Sequence, residues 1–534
     1  LAQPVPDRQD FDTARANREA IENGLLGGGT VQLDNGTYFL DRSVKLDQRH
    51  SRGTLRGRGV GTVLRNQYTA SPYLDNCTLV AYPEATAYVE PFDGLEEDSV
   101  HIPETYPWLA GVPVDLSQFR EGEVCYALTW NGQWYDDKME YSRLVISKVD
   151  RAARRVYFEQ GVPSGTEDML KWVHGRAVHD VKEGDAFVTP VKESDLDQYR
   201  RGMDVYVTSG PEFGMEVTGE FRKVTGKEGK KLLLDRPVGR SYAKASCLLG
   251  PWLADFNLED LALDNPVNLA SNPLVLKFAV RCTLRRVACG DCVSIAFGTA
   301  GYLNIHDVDA PGFGGMGINA CHDVNVRNCR VAGVNFEESC TKVSVADTLV
   351  MTVNGVHGVQ GHVNCSQIEI RNCRVEGFGY DRGWGNGSPF SMGGRDCRVI
   401  DTVVRNSNPV TGSYLWGDNF QIRGLDSDVG VLMPSGSGWR VANSRAPYWW
   451  PFPTTGGGRY TSVDGEKRGK VWEGDEREQA DKEKVRKPSD AAARIKAYKE
   501  LEEFALDRIK QGDPVAVREL LQLRAGRFHL GGDK

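Results

Sequence analysis

Leu303-Asn-Ile305-His-Asp307, Val324-Asn-Val326-Arg-Asn328 and Val343-Ser-Val345-Ala-Asp347 repeat one short pattern down the chain. An apolar residue alternates twice with any residue, and an Asp or Asn closes the run. The pattern returns as Phe256-Asn-Leu258-Glu-Asp260, Ile368-Glu-Ile370-Arg-Asn372, Cys397-Arg-Val399-Ile-Asp401 and Trp439-Arg-Val441-Ala-Asn443. Cys282-Thr-Leu284 and Phe420-Gln-Ile422 complete nine units, with Arg286 and Gly424 in place of the acid or amide, and first positions fall 19 to 29 residues apart. Alternation of period two marks strands, and the runs are too short for helices. A short strand recurring at this interval predicts an all-β chain wound as a parallel β-helix. Each rung then pairs with the next at about 4.8 Å, and inward side chains stack along the axis. The closing Asp or Asn suits a tight turn, because its side chain bonds nearby backbone and tolerates the left-handed conformation.

The same register accounts for the cysteines. Three residues before each unit stand Ala279, Ala300, Cys321, Cys340, Cys365 and Gly394, all small, while Cys329 and Cys373 share another register. These are expected to be buried ladders of small hydrophobes. Disulfides or a metal site are the alternative, although no CxxC pair has zinc-ligand spacing.

Composition narrows the class. The 534 residues carry 59 Gly, 24 Pro and 12 Cys, with a formal charge of −8. Excess Gly without excess Pro suits a chain that turns often at tight corners. There is no basic surplus for nucleic acid, and no run approaches the ~18–20 apolar residues of a membrane helix. A chain starting at Leu1 fits a cleaved signal peptide or a trimmed end, and the expected location is secreted, extracellular or periplasmic.

The first residues add a cap and a resemblance. Asp12 can N-cap a helix through Ala14, Ala16, Ala20 and Ile21, ending at Gly24, as a plug over the open end of a coil. Then follow Gly27-Gly-Gly-Thr-Val31-Gln-Leu33, Gly36-Thr-Tyr38-Phe-Leu40, Val44-Lys-Leu46 and Thr54-Leu-Arg-Gly57-Arg-Gly59. This start resembles that of the pectate-lyase-like (pectin lyase fold) superfamily, over residues 10–65 and again through the repeat at 250–446. The resemblance implies a right-handed β-helix. It also implies membership among polysaccharide lyases, glycoside hydrolases, uronate epimerases and phage tailspikes, a group whose functions differ on one scaffold.

Five segments are expected: the cap and first coils at 1–67, a β-rich insertion at 68–250, the β-helix core at 251–447, a charged linker at 448–488 and C-terminal helices at 489–534. The insertion holds two similar halves of alternating strands, and Trp130, Trp134 and Tyr135 at a loop tip could clasp a sugar chain. The C-terminal helices present an apolar stripe at Ile495, Tyr498, Leu501, Ala505 and Ile509, which suits the coil or a second subunit in a homo-oligomer.

Chemistry is expected on the strands just before each repeat unit. They read Gly315-Met-Gly-Ile-Asn319, Val334-Asn-Phe-Glu-Glu338, Val356-His-Gly-Val-Gln-Gly-His362, Ser388-Pro-Phe-Ser391 and Tyr414-Leu-Trp-Gly-Asp418. Stacked, they would line a trough fitted to an extended polymer. The central ones are the most polar, and the Gly-rich loop Gly377–Asn386 follows them. The catalytic candidates are His362, His357, Tyr380, Arg382, Glu337 and Asp381. Trp384, Asn335, Trp416, Asn386 and Asp418 are the candidates for substrate binding. Glu337 and Glu338 are adjacent, so in a strand only one can face the trough. His306 and His322, beside repeat strands, are expected to be structural.

Two reactions compete. Elimination from an acidic polysaccharide needs a base, an acid and a cation for the uronate carboxylate, and His362, His357, Tyr380 and Arg382 can supply them. Hydrolysis needs two carboxylates, drawn from Glu337 or Glu338 with Asp381 or Asp418. The Asp-rich motifs of polygalacturonases and the Asp-Pro-His of uronate epimerases are missing from the sequence. No cofactor is demanded; Ca2+ remains an option for a lyase, although no carboxylate cluster is plain. The reading favours a lyase, with a glycoside hydrolase second and a non-catalytic glycan binder or tailspike-like adhesin third.

Overall fold

The computed structural model describes residues 3–467, apart from 68–76, 82–87, 90–97, 103, 105–115, 130–139, 163–165, 212–216, 265–271, 290–293, 312–314, 338, 353–357, 363, 378–387, 407–411, 434–435, 452–454 and 457–458. The expected C-terminal helices and most of the linker lie outside the described residues. Two compact units share the chain. The first comprises residues 1–312, 316–327 and 336–343; the second comprises 313–315, 328–335 and the chain from 344 onward. Each is a parallel β-helix, the architecture that the repeat predicted.

In the first unit the repeat's second apolar position forms one inward column. Val31, Leu55, Leu258, Leu284, Ile305 and Val326 pair in parallel register and all are buried. A second ladder aligns Tyr38, Leu64, Leu263 and Cys289, and a third aligns Leu46, Ala81, Leu276 and Phe297. The second unit repeats the plan. Ile370, Val399, Ile422, Val441 and Tyr460 form its first ladder. Val331, Val350, Val375 and Val404 form its second, and Gly361, Met392 and Leu415 stack in its third. A one-residue slip would turn such a column outward, so burial of one face fixes the register.

Every closing corner is left-handed. Asp260, Arg286, Asp307, Asn328, Asp347, Asn372, Asp401 and Asn443 have φ between 46° and 56°, and Gly424 has φ 68°. The residue after the corner explains several cysteines. Thr348, Thr402 and Ser444 each donate to the carbonyl two residues back (2.8–2.9 Å) and accept the N–H of Cys329, Cys373 and Leu425 in turn at 3.1–3.5 Å. Cys329 and Cys373 occupy the same column as these hydroxyls. The Cys321, Cys340 and Cys365 positions are buried as expected, and the eleven described cysteines are all free thiols.

Three boundaries shift. The first helix is Phe11–Leu25 and its cap is Asp10, which accepts Thr13 N–H at 2.8 Å; Asp12 pairs with Arg15 in the first turn. The coil continues past residue 67, because Leu79–Ala81 pairs with both Val44–Leu46 and Leu274–Leu276. It also continues past residue 447: Arg459–Lys467 pairs in parallel with Arg440–Trp449. That last rung offers few apolar residues besides Tyr460 and Val463, and Ser462 holds the left-handed corner (φ 53°), so the sequence pattern faded there.

Between Ala81 and Leu253 stand two six-stranded antiparallel sheets. In order across the first lie Tyr88–Val89, Thr166–Val173, Val124–Thr129, Glu140–Asp150, Arg155–Phe158 and Ser99–His101. Across the second lie Gly175–Ala177, Ser246–Leu248, Asp204–Pro211, Val217–Glu228, Lys231–Leu234 and Phe187–Val188. Numbered along the chain, both follow the order 1-6-3-4-5-2, so the two halves expected from the sequence share one topology.

His322 fastens the second sheet to the coil. Its ring is fully buried, Nε2 accepts Phe221 N–H at 2.7 Å, and Nδ1–H faces Asp323 at 2.9 Å. Tyr302 Oη donates to Phe221 O at 3.1 Å, Thr299 Oγ1 to Val217 O at 3.2 Å, and Arg281 bridges Asp204 and Asp255 at 2.7–3.0 Å. An acceptor at Nε2 requires neutral imidazole, and burial indeed pushes His322 below its ordinary value. Its contribution to stability is therefore complete above about pH 6.5 and falls as pH drops below that towards the depressed value. His322→Ala should lower stability by about 1–3 kcal/mol and flatten the acid limb of a thermal-unfolding series. An unchanged pH profile in the variant would remove His322 from this role.

Candidate functional site

In the second unit, the third ladder exposes the residues between its inward Val359, Gly361, Phe390, Met392 and Leu415. Gln360 pairs with Ser391, and Ser391 with Tyr414, forming one outward row of half-buried side chains. Gly361 pairs with Met392, so the same register carried one residue further sets His362 opposite Gly393, which pairs with Trp416. His362, Gly393 and Trp416 thus form a second outward row.

Gly393 is necessary to that row. A Cβ there would come within 2.1 Å of Trp416 Nε1, so the indole lies against the backbone of the rung that follows His362. A half-buried indole held against this glycine offers aromatic surface suited to a sugar ring. Burial pushes the half-buried His362 imidazole below its ordinary value, which keeps it neutral and competent as a base. Its carbonyl accepts Cys365 N–H at 3.1 Å, fixing the backbone as it leaves the strand. Asn335 follows Val334, whose N–H donates to Gly358 O at 2.8 Å. Among the described residues its Oδ1 is buried without a hydrogen-bond partner, so a ligand hydroxyl would relieve a cost of about 1–3 kcal/mol.

The first unit holds Glu337. Thr299 N–H donates to Asn319 O and Ala320 N–H to Glu337 O, both at 3.0 Å, which puts Asn319 and Glu337 on neighbouring rungs. Both are half-buried and lie outward of Ile318 and Phe336. Burial pushes the Glu337 carboxyl up, favouring its protonated form, and among the described residues Asn319 Oδ1 is buried without a partner.

Asp418, expected to face a substrate, stands instead at an exposed corner. Ser437 N–H and Oγ donate to its Oδ1 at 2.8 and 2.7 Å, and its carbonyl accepts Asp396 N–H. The carboxylate is engaged in shaping the turn. His357, Tyr380, Asp381, Arg382, Trp384 and Asn386 lie outside the described residues, as do Glu338, Trp130, Trp134 and Tyr135. His306 is half-buried between Arg285 and Arg327 on the outward face of the first ladder. Among the described residues no three His, Cys, Asp or Glu side chains gather into a metal-holding group, so no Ca2+ site is assigned. Nor is any helix among them long and apolar enough to cross a membrane.

The sequence put Asn319, Gln360, Ser391 and Tyr414 in trough-lining segments without singling them out as candidates, and Gly393 lay outside those segments. Alternation within each segment was the available signal: counting by twos from the buried positions turns each of them outward.

No protein-family model and no curated protein matches the chain. Solved structures do. The tailspike gp61 of Pseudomonas phage phi297 matches with 11% identity and a TM-score of 0.49, over 86% of this chain and 68% of that one. The surface adhesin PfbA of Streptococcus pneumoniae matches with 8% identity and a TM-score of 0.42, over 86% and 88%. The A-module of the Azotobacter vinelandii mannuronan C-5 epimerase AlgE4 matches with 9% identity and a TM-score of 0.31, over 90% and 97%. At these values the fold assignment rests on this chain's own strand pairing.

Gly393→Ala is expected to displace the Trp416 indole while leaving the ladder paired. Tryptophan emission should change with an unaltered far-ultraviolet circular dichroism spectrum. Identical emission from the variant would show that the indole does not lie over this glycine.

Proposed function

We propose that the chain is an extracellular polysaccharide-active protein that cleaves a uronate-containing polysaccharide by β-elimination on the outward face of its β-helix. The observation that carries the reading is the row in the second unit where a half-buried imidazole, a bare glycine and an indole follow on successive rungs. His362 removes the proton α to the uronate carboxylate, the carbon–oxygen bond β to that carboxylate breaks, and a double bond forms between the two carbons. Tyr380 returns a proton to the departing oxygen, and Arg382 holds the carboxylate whose charge grows as the proton leaves. Both precede, in sequence, the strand that contains Gly393. Trp416 supports a sugar ring, and Asn335 Oδ1 accepts from a hydroxyl.

A second reading is favoured by one observation in the first unit. Glu337, with its carboxyl pushed up by burial, has the character of the general acid of a glycoside hydrolase.

Acidic and neutral polysaccharides incubated with the chain separate the readings. Elimination gives unsaturated ends that absorb in the ultraviolet, hydrolysis gives reducing ends without that absorbance, and an adhesin binds without product. His362→Ala should lower turnover about 10²–10⁴-fold with the fold intact, whereas Glu337→Gln should do so only if the reaction is hydrolysis. Because His362 is depressed, the acid limb of kcat/KM should fall below about pH 6.5, where an ordinary imidazole would already be protonated. Near-normal turnover of His362→Ala would exclude it as the base.

A further inference from the structure

The first ladder of the second unit has an outward face of different character. Its inward residues alternate with two outward rows: Glu369, Arg398, Gln421 and Arg440, and beside them Arg371, Ile400, Arg423 and Ala442. Arg371, Arg398, Arg423 and Arg440 are all exposed. Glu369 is the one acid in these rows; it meets Arg371 at 2.8 Å and Arg398 at 3.7 Å. Among the described residues Arg423 and Arg440 have no carboxylate within 4.0 Å.

The first unit handles the equivalent face differently. One row there is Thr30, Thr54, Asn257, Thr283, Asn304 and Asn325, without charge. In the row beside it Glu259 lies between Arg56 and Arg285, bonded to them at 2.7 and 3.2 Å. Arg327 continues that row, so both faces carry more arginine than acid, and the second unit's face holds the larger excess, four exposed arginines against Glu369, in a chain whose formal charge is −8.

We propose that this arginine strip is a second binding site, distinct from the His362 row, for an anionic polysaccharide lying across the strands. Rungs repeat at about 4.8 Å, so Arg371 to Arg440 spans roughly 14 Å, the reach of a few sugar residues in an extended chain. Guanidinium is planar, permanently charged and able to hold a carboxylate or sulfate through two parallel N–H bonds. One exposed ion pair contributes little. A row of them along a single polymer adds, because each contact raises the effective concentration for the next. The ligand class rests on the polysaccharide reading above, but the site needs no cleavage: it would keep the cut polymer attached while the His362 face acts.

Affinity electrophoresis of the full chain through gels containing polygalacturonate, alginate or methyl-esterified polygalacturonate tests this. The wild type should be retarded by at least one of the two polyanions, less so as salt rises, and not by the neutral ester. The double variant Arg423→Gln/Arg440→Gln should bind the polyanion roughly 2- to 30-fold more weakly, two exposed ion pairs' worth, with unchanged thermal unfolding. Equal binding by wild type and variant, retention by the ester as strong as by the polyanion, or no retention of the wild type would each overturn the proposal. Duplex DNA competing as well as the polyanion would also overturn it, by making the strip a general anion exchanger. A chain that binds through the strip yet yields no unsaturated product would sink the elimination reading and leave this one standing.

Discussion

Each rung of this protein depends on a backbone conformation that most residues avoid. A β-helix rung makes few hydrogen bonds to itself, so its N–H and C=O groups must meet those of the next rung, and the chain must turn sharply enough to stay in register. The corner after each repeat strand does this with φ near 50°, a region that costs a non-glycine residue about 1 kcal/mol or more. Asp and Asn tolerate it, and here they also bond one another: Asn372 Nδ2 donates to Asp347 Oδ1 at 2.7 Å. The two exceptions obey the same constraint. Arg286 reaches back to hold Asp260 of the preceding corner with its Nε and Nη2. Gly424 carries no side chain because a Cβ would sit 2.3 Å from Asp401 Oδ1.

This constraint explains what the sequence could disclose. The Asp/Asn column was legible because side chain and backbone both matter at that corner. A second left-handed column, at Asp255, Arg281, Tyr302, Asp323, Lys342, Gln367, Asp396 and Asn419, is Asp or Asn at only half of these positions and left a weaker trace in residue type. There the backbone carries much of the pairing, as when Asp255 N–H donates to Val280 O and Arg281 N–H to Gly301 O, and the side chains are free to differ. The cysteines were legible as buried ladders but not as substitutes for Thr and Ser, since the thiol–carbonyl contact of Cys373 with Arg371 (3.2 Å) appears only once the corner is folded.

The outward rows were half legible for a related reason. Alternation told which residues of a segment face out, and Glu337, Asn335, His362 and Trp416 do so. It did not tell which residue of one rung stands beside which of the next, because the units are separated by unequal loops. The indole of Trp416 over Gly393, and the unpartnered oxygen of Asn319 one rung from Glu337, are consequences of register. Asp418 misled because an acid at the end of a strand serves a corner as readily as a ligand, and the Ser437 donors decided the matter.

Separating inward from outward positions also lets the scaffold admit a large insertion without disturbance. Ala81 and Leu276 pair in the third ladder as if adjacent in sequence, although the two antiparallel sheets lie between them. The entropic cost of closing so long a loop grows only with the logarithm of its length, and the sheets supply their own buried cores. What the coil must add is attachment, and it does so with Tyr302, Thr299, Arg281 and His322, residues that lie at rung corners and face outward or towards the insertion. The stacked Leu, Ile and Val columns are left unchanged beneath them. A rung's interior is thus answerable to its neighbours along the axis, while each outward face can differ from unit to unit. An acidic protein can in this way gather exposed arginines on one face and set an imidazole, a glycine and an indole on successive rungs of another.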